Sequence, residues 1–378
     1  MSKHILINAS NLHGGGGVQV AVSVVDELSR SAKQAHLTLV LSSTVMEGCA
    51  AIGTDLSGFR STVVMDVRGF DPFNAALTRM FRQAEVVFTI FGPLYSARRP
   101  TKSVVGFAQA WILYPKSDAY YRLPRSERPK FRARYFLQKL AFRKNSDLLI
   151  VEADHVRERL REILPSTPAV VVANALNAVF LRAIASLPDD TPAKAQIGSK
   201  ARDEKKITLG FVGRAYSHKN IDVLPGVRRA LRERYGVDAA IKVTLNDDEW
   251  AAQTQEFRSE IENAGSMSLK DLVEFYRSVD GVVFPSLLEC FSVTPLEAMA
   301  MGLPLYASDR AFVRDSCGDL PFYFDPLDPV SIADAVGRSL ALSGDVLAAR
   351  LRASRVHVLS LPTATERAKK MIELLFSF

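Results

Sequence analysis

The chain has 378 residues, 48% of them hydrophobic and 24% charged, with a net charge of +7; this is too long for one hydrophobic core and too apolar for disorder, so two globular domains are expected. Cys49, Cys290 and Cys317 are odd in number and lack metal-ligand spacing, which argues against a disulfide scaffold and for a cytoplasmic protein. No apolar run reaches the roughly 18 residues of a membrane span, and the one in MSKHILINAS is too short for a signal peptide.

In chain order, short β-branched apolar runs alternate with helix-like stretches: HILIN (4–8), LTLVL (37–41), TVVMDV (62–67), EVVFTIF (85–91), SVVGFA (103–108), DLLIVEA (147–153) and AVVVAN (169–174). That alternation predicts a parallel sheet covered by helices on both faces. Between the first two runs lie Gly14 to Gly17. They are not a GxGxxG fingerprint, and both a flexible turn and a loop that approaches a phosphate or acceptor account for them.

The positive charge concentrates between Arg98 and Lys144, where thirteen Lys and Arg face only Asp118 and Glu127, interleaved with Tyr120, Tyr121, Phe131, Tyr135, Phe136, Leu137, Leu140 and Phe142. A basic surface with aromatic anchors would suit anionic lipid headgroups or a phosphate-bearing acceptor. A solvated helix whose aromatics pack on the core is the alternative. No nucleic-acid module accompanies the charge, so nucleic acid is not expected.

The stretch 181–206, with Pro188, Pro192, Gly198 and the mixed-charge run ARDEKK, reads as a linker. A second strand series follows: ITLGFVG (207–213), AIKVTL (240–245), DGVVFPS (280–286), LPLYAS (303–308) and PFYF (321–324). Between them SLKDLVEFYRSV (268–279) is an amphipathic helix with Ser268 as N-cap. The expected fold is α/β, with two Rossmann-like doubly wound domains, 1–180 and 207–355, facing across a cleft that is the default ligand site. The end, 356–378, is a helix expected to pack back on the first domain.

Two segments carry chemistry. In ECFSVTPLEAMAMGLPLYASD (289–309), Pro295 suits a first helical turn and Gly302 a helix end. Thr294 as N-cap would leave the amides from Phe291 to Leu296 facing outward as an anion site. Glu297 would compete with a phosphate there, and a Thr294-x-x-Glu297 capping box explains it without any ligand. In FVGRAYSHKN, Arg214 and Lys219 follow a strand at its carboxyl end and form a diphosphate cradle; as isolated residues they would be solvated loop cations.

Taken together, VGRxxxxKN, GSMSLKDLVEFY, VVFPSxxECFSVTPLEAMAMGLPLYASD and FDPLDP (324–329) resemble the donor-binding domain of the family-4 retaining glycosyltransferases, also called group 1, whose two Rossmann-like domains form the GT-B arrangement. The resemblance is strong over the second domain and fainter in VVANALNAVF (171–180) and NLHGGGGVQVAV. It implies metal-independent, retaining hexosyl transfer from a nucleotide diphosphate sugar to a saccharide or lipid-linked saccharide, in cell-surface polysaccharide or lipopolysaccharide biosynthesis. No cofactor beyond that co-substrate is implied, and peripheral contact with the inner membrane face through 98–144 is expected.

The same resemblance implies that Arg214 and Lys219 neutralise the diphosphate, that Glu297 accepts from ribose hydroxyls, and that Glu289 holds sugar hydroxyls and places the anomeric carbon. Amides at Phe291, Ser292, Val293 and Thr294 would bind phosphate and sugar, with Met267 and Ser268 near the base and Gly15 and Gly16 in a functional loop. Family members often carry a first-domain histidine near the segment that here reads SVVGFAQAWILYP; Ala108, Gln109 and Trp111 stand there instead. Gln109 is the candidate replacement and His13 a further candidate sugar or acceptor contact. A nucleotide-sugar epimerase and a non-catalytic nucleotide-sugar-binding subunit are the competing readings; a phosphorylase would need a lysine-bound pyridoxal site and a longer chain.

Overall fold

The computed structural model describes residues 3–185, 197 and 203–378. Each apolar run forms a strand, because Val, Ile and Leu fill both faces of a pleated ribbon covered by helices. Seven strands, β1 (Ile5–Ala9), β2 (Leu37–Leu41), β3 (Ser61–Val64), β4 (Val86–Thr89), β5 (Ser103–Gly106), β6 (Leu148–Val151) and β7 (Ala169–Val171), make one parallel sheet in the order β3-β2-β1-β4-β5-β6-β7. Six more, β8 (Lys206–Phe211), β9 (Asp238–Val243), β10 (Glu262–Asn263), β11 (Gly281–Phe284), β12 (Leu305–Ser308) and β13 (Phe322–Phe324), make another in the order β10-β9-β8-β11-β12-β13. The expected strands are all present. The additional one, β10, is a two-residue edge strand whose polar sequence carries no alternation to detect.

In each sheet the first strand of the series is internal: the chain builds outward on one side of it and then returns to the other. The strand order therefore reverses between β1 and β4, and again between β8 and β11. Helices leaving the two strands at such a point turn to opposite faces, opening a crevice beyond the strands' carboxyl ends.

The chain divides into two units, the first comprising Met1–Pro115, Arg125–Ala175 and Pro362–Phe378, the second Lys116–Pro124 and Leu176–Leu361. The division differs from the expected boundaries in three places, for local reasons. The short helix Asp118–Arg122 belongs to the second unit, where Asp118 accepts from Arg310 Nη2 at 2.7 Å and Arg122 donates to Asn220 Oδ1. Residues 181–185 are not linker but the end of a helix, Ala178–Ala185, that buries Phe180 and Ile184. Most of the remaining expected linker lies outside the described residues. The terminal helix starts at Ala364, after a helix that runs on to Leu359, because Thr363 and Glu366 close a capping box there.

Four helices of the molecule matter below: α1 (Gly15–Ser29), α2 (Arg128–Asn145), α3 (Leu269–Ser278) and α4 (Thr294–Ala300). The terminal helix packs within the first unit beside α1, with Met371 and Leu375 in its core. Buried Arg367 fastens it by donating to Ser23 Oγ at 2.7 Å and to Asn174 Oδ1.

Along α2 the aromatic and apolar side chains divide between core and surface. Phe142 is buried against Phe107, and Phe131 and Tyr135 cluster with Trp111. Phe136 and Leu137 are each 61% exposed, and Leu140 is also exposed, beside Arg132, Arg134, Arg143 and Lys144. Among the described residues no helix is long and apolar enough to cross a membrane.

Candidate active site

The loops leaving β8 and β11 meet at the reversal point of the second sheet. Gly213 has a φ of 152° and donates to Thr244 Oγ1, turning the chain sharply after β8. Asn220, a non-glycine residue at φ 58°, ends the short turn Ser217–Lys219, held there because its buried side chain donates to Pro326 O at 2.7 Å. The Leu287 amide donates to His218 O at 2.7 Å and ties the two loops together.

That tie brings together two residues seventy positions apart. Lys219 Nζ lies 2.6 Å from Glu289 Oε1, each side chain only 13% exposed, with the ammonium also 5.2 Å from the Phe284 ring. His218 Nε2 lies 3.9 Å from the same carboxylate oxygen; burial lowers its pKa, and Glu289 opposes that shift. The imidazole stacks on Tyr216 with centroids 5.6 Å apart.

Arg214 is organised by a residue not identified from the sequence. Glu249 accepts from Arg214 Nε at 2.6 Å and from the Ala215 amide at 3.1 Å, so the guanidinium is oriented by a second-unit carboxylate and its charged form is favoured. The same Glu249 closes a capping box with Asn246, which fixes its own position. The sequence signal was the box NDDE at 246–249, legible as a helix start but silent about Arg214.

The Thr294-x-x-Glu297 capping box does not form. The helix α4 begins at Thr294 itself, with Val293 in the cap position and no side-chain cap; Thr294 is already helical, so its hydroxyl is not placed to accept from the third residue. Glu297 turns inward instead, 4% exposed, and accepts a hydrogen bond from Tyr276 Oη at 2.8 Å. Burial pushes its carboxyl up to about 7, against the lowering effect of that hydrogen bond. Tyr276, on α3, closes the GSMSLKDLVEFY segment, and the sequence did not show its contact with Glu297, because at its position in an amphipathic helix it reads as core. Phe291, Ser292 and Val293 are half-buried, with Phe291 and Val293 packed against the apolar cluster under α4.

Ser268 caps α3 in a reciprocal box with Asp271, so its hydroxyl is engaged at the helix start. Met267 packs on the same apolar cluster. In the first unit, Gly15 and Gly16 open α1, Gly15 at φ 67°, and a Cβ built at Gly16 would meet nothing within 4 Å. Three of the four glycines are therefore the first residues of a helix rather than a free turn. Gln109 and His13 line one cavity in that unit. Among the described residues no group of three or more His, Cys, Asp or Glu could hold a metal ion.

Two parallel α/β units of seven and six strands define the GT-B class of fold. Solved structures agree over essentially whole chains: the Anabaena protein HepE in complex with UDP-glucose (TM-score 0.70, 12% identity, 100% of both chains) and WaaG, a glycosyltransferase involved in lipopolysaccharide biosynthesis (TM-score 0.67, 12% identity, 98% of this chain and 99% of that one). At such identities the likeness is one of fold. Residues 206–341, within the second unit, match the family described as Glycosyl transferases group 1. A D-inositol 3-phosphate glycosyltransferase of Salinispora tropica is 30% identical over 175 residues, 40% of this chain and 35% of that protein. The matched stretch spans a little over a third of the length of the curated relatives it resembles.

Proposed function

We propose that the chain is a retaining glycosyltransferase that moves a hexosyl group from a nucleotide diphosphate sugar to a hydroxyl of a saccharide or lipid-linked saccharide. The observation that carries this reading is the Lys219–Glu289 pair at 2.6 Å, nearly buried at the reversal point of the second sheet. A cation there opposes the charge that grows on a departing diphosphate, and in a partly dehydrated site such stabilisation is large. Glu289 takes the sugar hydroxyls, Arg214 adds a second positive charge held in place by Glu249, and Glu297 accepts from the ribose. The amides of residues 291–294 line the phosphate and sugar, and backbone around Met267 and Ser268 faces the base.

In the reaction the bond from the anomeric carbon to the diphosphate oxygen breaks while the bond to the acceptor oxygen forms on the same face. The acceptor proton passes to a diphosphate oxygen, so no side-chain base is needed. Positive charge at the diphosphate comes from Lys219 and Arg214, and on that ground the reading requires no bound metal. The test is a thermal-shift panel of UDP-, GDP-, ADP- and dTDP-sugars, beginning with UDP-glucose, the ligand named for the Anabaena neighbour. One base is expected to raise the midpoint by a few degrees, since ligand at about 100 times its dissociation constant adds roughly 2.7 kcal/mol. No response of the folded protein to any nucleotide sugar would overturn this reading.

We further propose that the acceptor is presented at a membrane surface, in polysaccharide or lipopolysaccharide assembly. The support is α2, where Phe136, Leu137 and Leu140 stand exposed among cations. Flotation with vesicles containing phosphatidylglycerol is expected to carry the protein upward, and vesicles of phosphatidylcholine alone are not. Equal behaviour with both would remove the electrostatic part of the idea.

A further inference from the structure

Lys219 is followed by Asn220, one of two non-glycine residues with a positive φ among the described residues, the other being Lys205. An L-residue holds the left-handed conformation at a cost, and asparagine is tolerated there because its short polar side chain can be tied down.

The conformation at 220 separates two turns with different demands. The turn Ser217–Lys219 sends its lysine to Glu289, while the next turn, Ile221–Val223, buries Ile221 and Val223 in the core of the second unit. A right-handed residue at 220 would continue the first turn and change the direction in which either Lys219 or Ile221 points. On its amino side Lys219 is fixed by its own amide, which donates to Tyr216 O at 2.8 Å, and by the Leu287 amide on His218 O. On its carboxyl side the chain is fixed through Asn220.

Both ends of the Asn220 amide are in use. The residue is 1% exposed, its Nδ2 donates to Pro326 O at 2.7 Å, and its Oδ1 accepts from Arg122 Nη1. A backbone carbonyl can only accept and a guanidinium can only donate, so one orientation of the amide serves both. Without the guanidinium a buried carbonyl oxygen would lose its donor, and buried acceptors are rarely left so.

Arg122 is delivered from ninety-eight positions earlier in the chain. It ends the short helix Asp118–Arg122, part of a segment of the second unit, Lys116–Pro124, that the chain contributes between two stretches of the first. Ala119, Tyr120 and Leu123 are buried, and Asp118 accepts from Arg310 Nη2 at 2.7 Å. The helix is thus held at its first residue by Arg310 and at its last by Asn220. Arg122 as a whole is exposed, so its place is explained by the bond it makes and not by burial of its stem.

We infer that Arg122 is a positioning residue for sugar transfer: it holds Asn220 in the left-handed conformation and through it sets the Lys219 ammonium against the donor diphosphate. The inference rests on the glycosyltransferase reading above, in which Lys219 faces that diphosphate. Arg122 acts through Asn220 and does not itself touch the donor.

The experiment is calorimetric titration of the full chain with inorganic diphosphate, the part common to every nucleotide diphosphate sugar, at physiological ionic strength. Thermal midpoints taken alongside establish that each variant is folded. Lys219→Met is expected to lose about tenfold or more in affinity, as for one charged hydrogen bond. Arg122→Ala is expected to lose about fivefold while remaining folded, because the side chain is exposed. Arg122→Lys, which keeps a charged donor, is expected to recover most of that loss. The deciding comparison is made in the Asn220→Gly background. Glycine reaches the same φ with no Cβ to oppose it, so there Arg122→Ala is expected to cost less than about twofold.

A folded Arg122→Ala that binds diphosphate like the wild type overturns the inference and leaves the helix a purely structural strap. An equal loss in both backgrounds overturns it too, because Arg122 would then act on the anion directly. The glycosyltransferase reading fails in a different way. If the wild type binds no diphosphate, or Lys219→Met binds it unchanged, that reading falls and the inference falls with it. A normal response of Lys219→Met beside a silent Arg122→Ala defeats the inference alone.

Discussion

Lys219→Met is expected to lower the rate of sugar transfer by roughly 10²–10³, the loss typical when one preorganised donor to a developing oxyanion is removed. The ammonium is 13% exposed and its carboxylate partner equally so, which gives its charge more effect on a departing diphosphate than a solvated lysine would have. Two consequences should be separable. Removing the cation leaves Glu289 nearly buried with no counter-ion at 2.6 Å, which costs about 3 kcal/mol of stability by the precedent of broken buried pairs. Glu289→Gln keeps the shape and removes the negative charge, so it should destabilise less while still lowering the rate. Initial rates and denaturation midpoints for the two variants and their combination form a double-mutant cycle. Non-additive rates are expected, because both residues act on one leaving group and one sugar. If Lys219→Met turned over within a factor of two of wild type, Lys219 would not be part of the chemistry.

Glu297→Gln is expected to stabilise the free protein above pH 7 and to weaken donor binding. Burial raises the folded-state pKa of Glu297 from the ordinary 4.5 to about 7. A raised carboxyl binds more protons folded than unfolded, so its stability contribution is fully present below pH 4.5 and is lost as pH rises through 7. Above that, an ionised carboxylate sits 4% exposed at a cost of about 3 kcal/mol. Glutamine keeps an acceptor for Tyr276 and carries no charge, so the variant should gain up to that amount at pH 8 and little near pH 5. Glu152, also raised to about 7 by burial, titrates in both proteins and cancels in the comparison.

Donor binding should show the opposite pattern. Ribose hydroxyls donate to the carboxylate and favour its ionised form, so wild-type affinity for the nucleotide sugar should rise from pH 6 to pH 8, and that rise should be absent in the variant. Urea titrations and donor titrations at three pH values check both halves. A variant no more stable than wild type at pH 8 would place the raised pKa in doubt; an unchanged donor affinity would remove Glu297 from the site. A stabilising change that costs affinity is the pattern expected of a residue kept for binding.

Strand composition carried most of the fold: runs such as LTLVL and DGVVFPS can be buried on both faces, and only a helix-covered parallel sheet uses such runs in series. It was blind to β10, two polar residues at an edge, and to the attachment of Asp118–Arg122 to the second unit. That attachment depends on Arg310 and Asn220, residues far away in the chain. Within the candidate site, Arg214, Lys219, Glu289 and Glu297 were legible as charged residues in loops and helix starts after strands. Their partners were not, because Glu249 reads as a helix cap and Tyr276 as a core aromatic until the structure shows what each one touches.

By itself the sequence determined the two-sheet architecture, the motifs of the second unit and which charged residues follow its strands, since these depend on residue type and on spacing along the chain. Tertiary structure alone decided that Lys219 pairs with Glu289, that Glu297 faces inward to Tyr276 rather than capping its helix, and that Arg122 reaches Asn220. Each of these is a distance between groups remote in sequence, set by sheet order and side-chain packing, and periodicity along one chain carries no information about such distances.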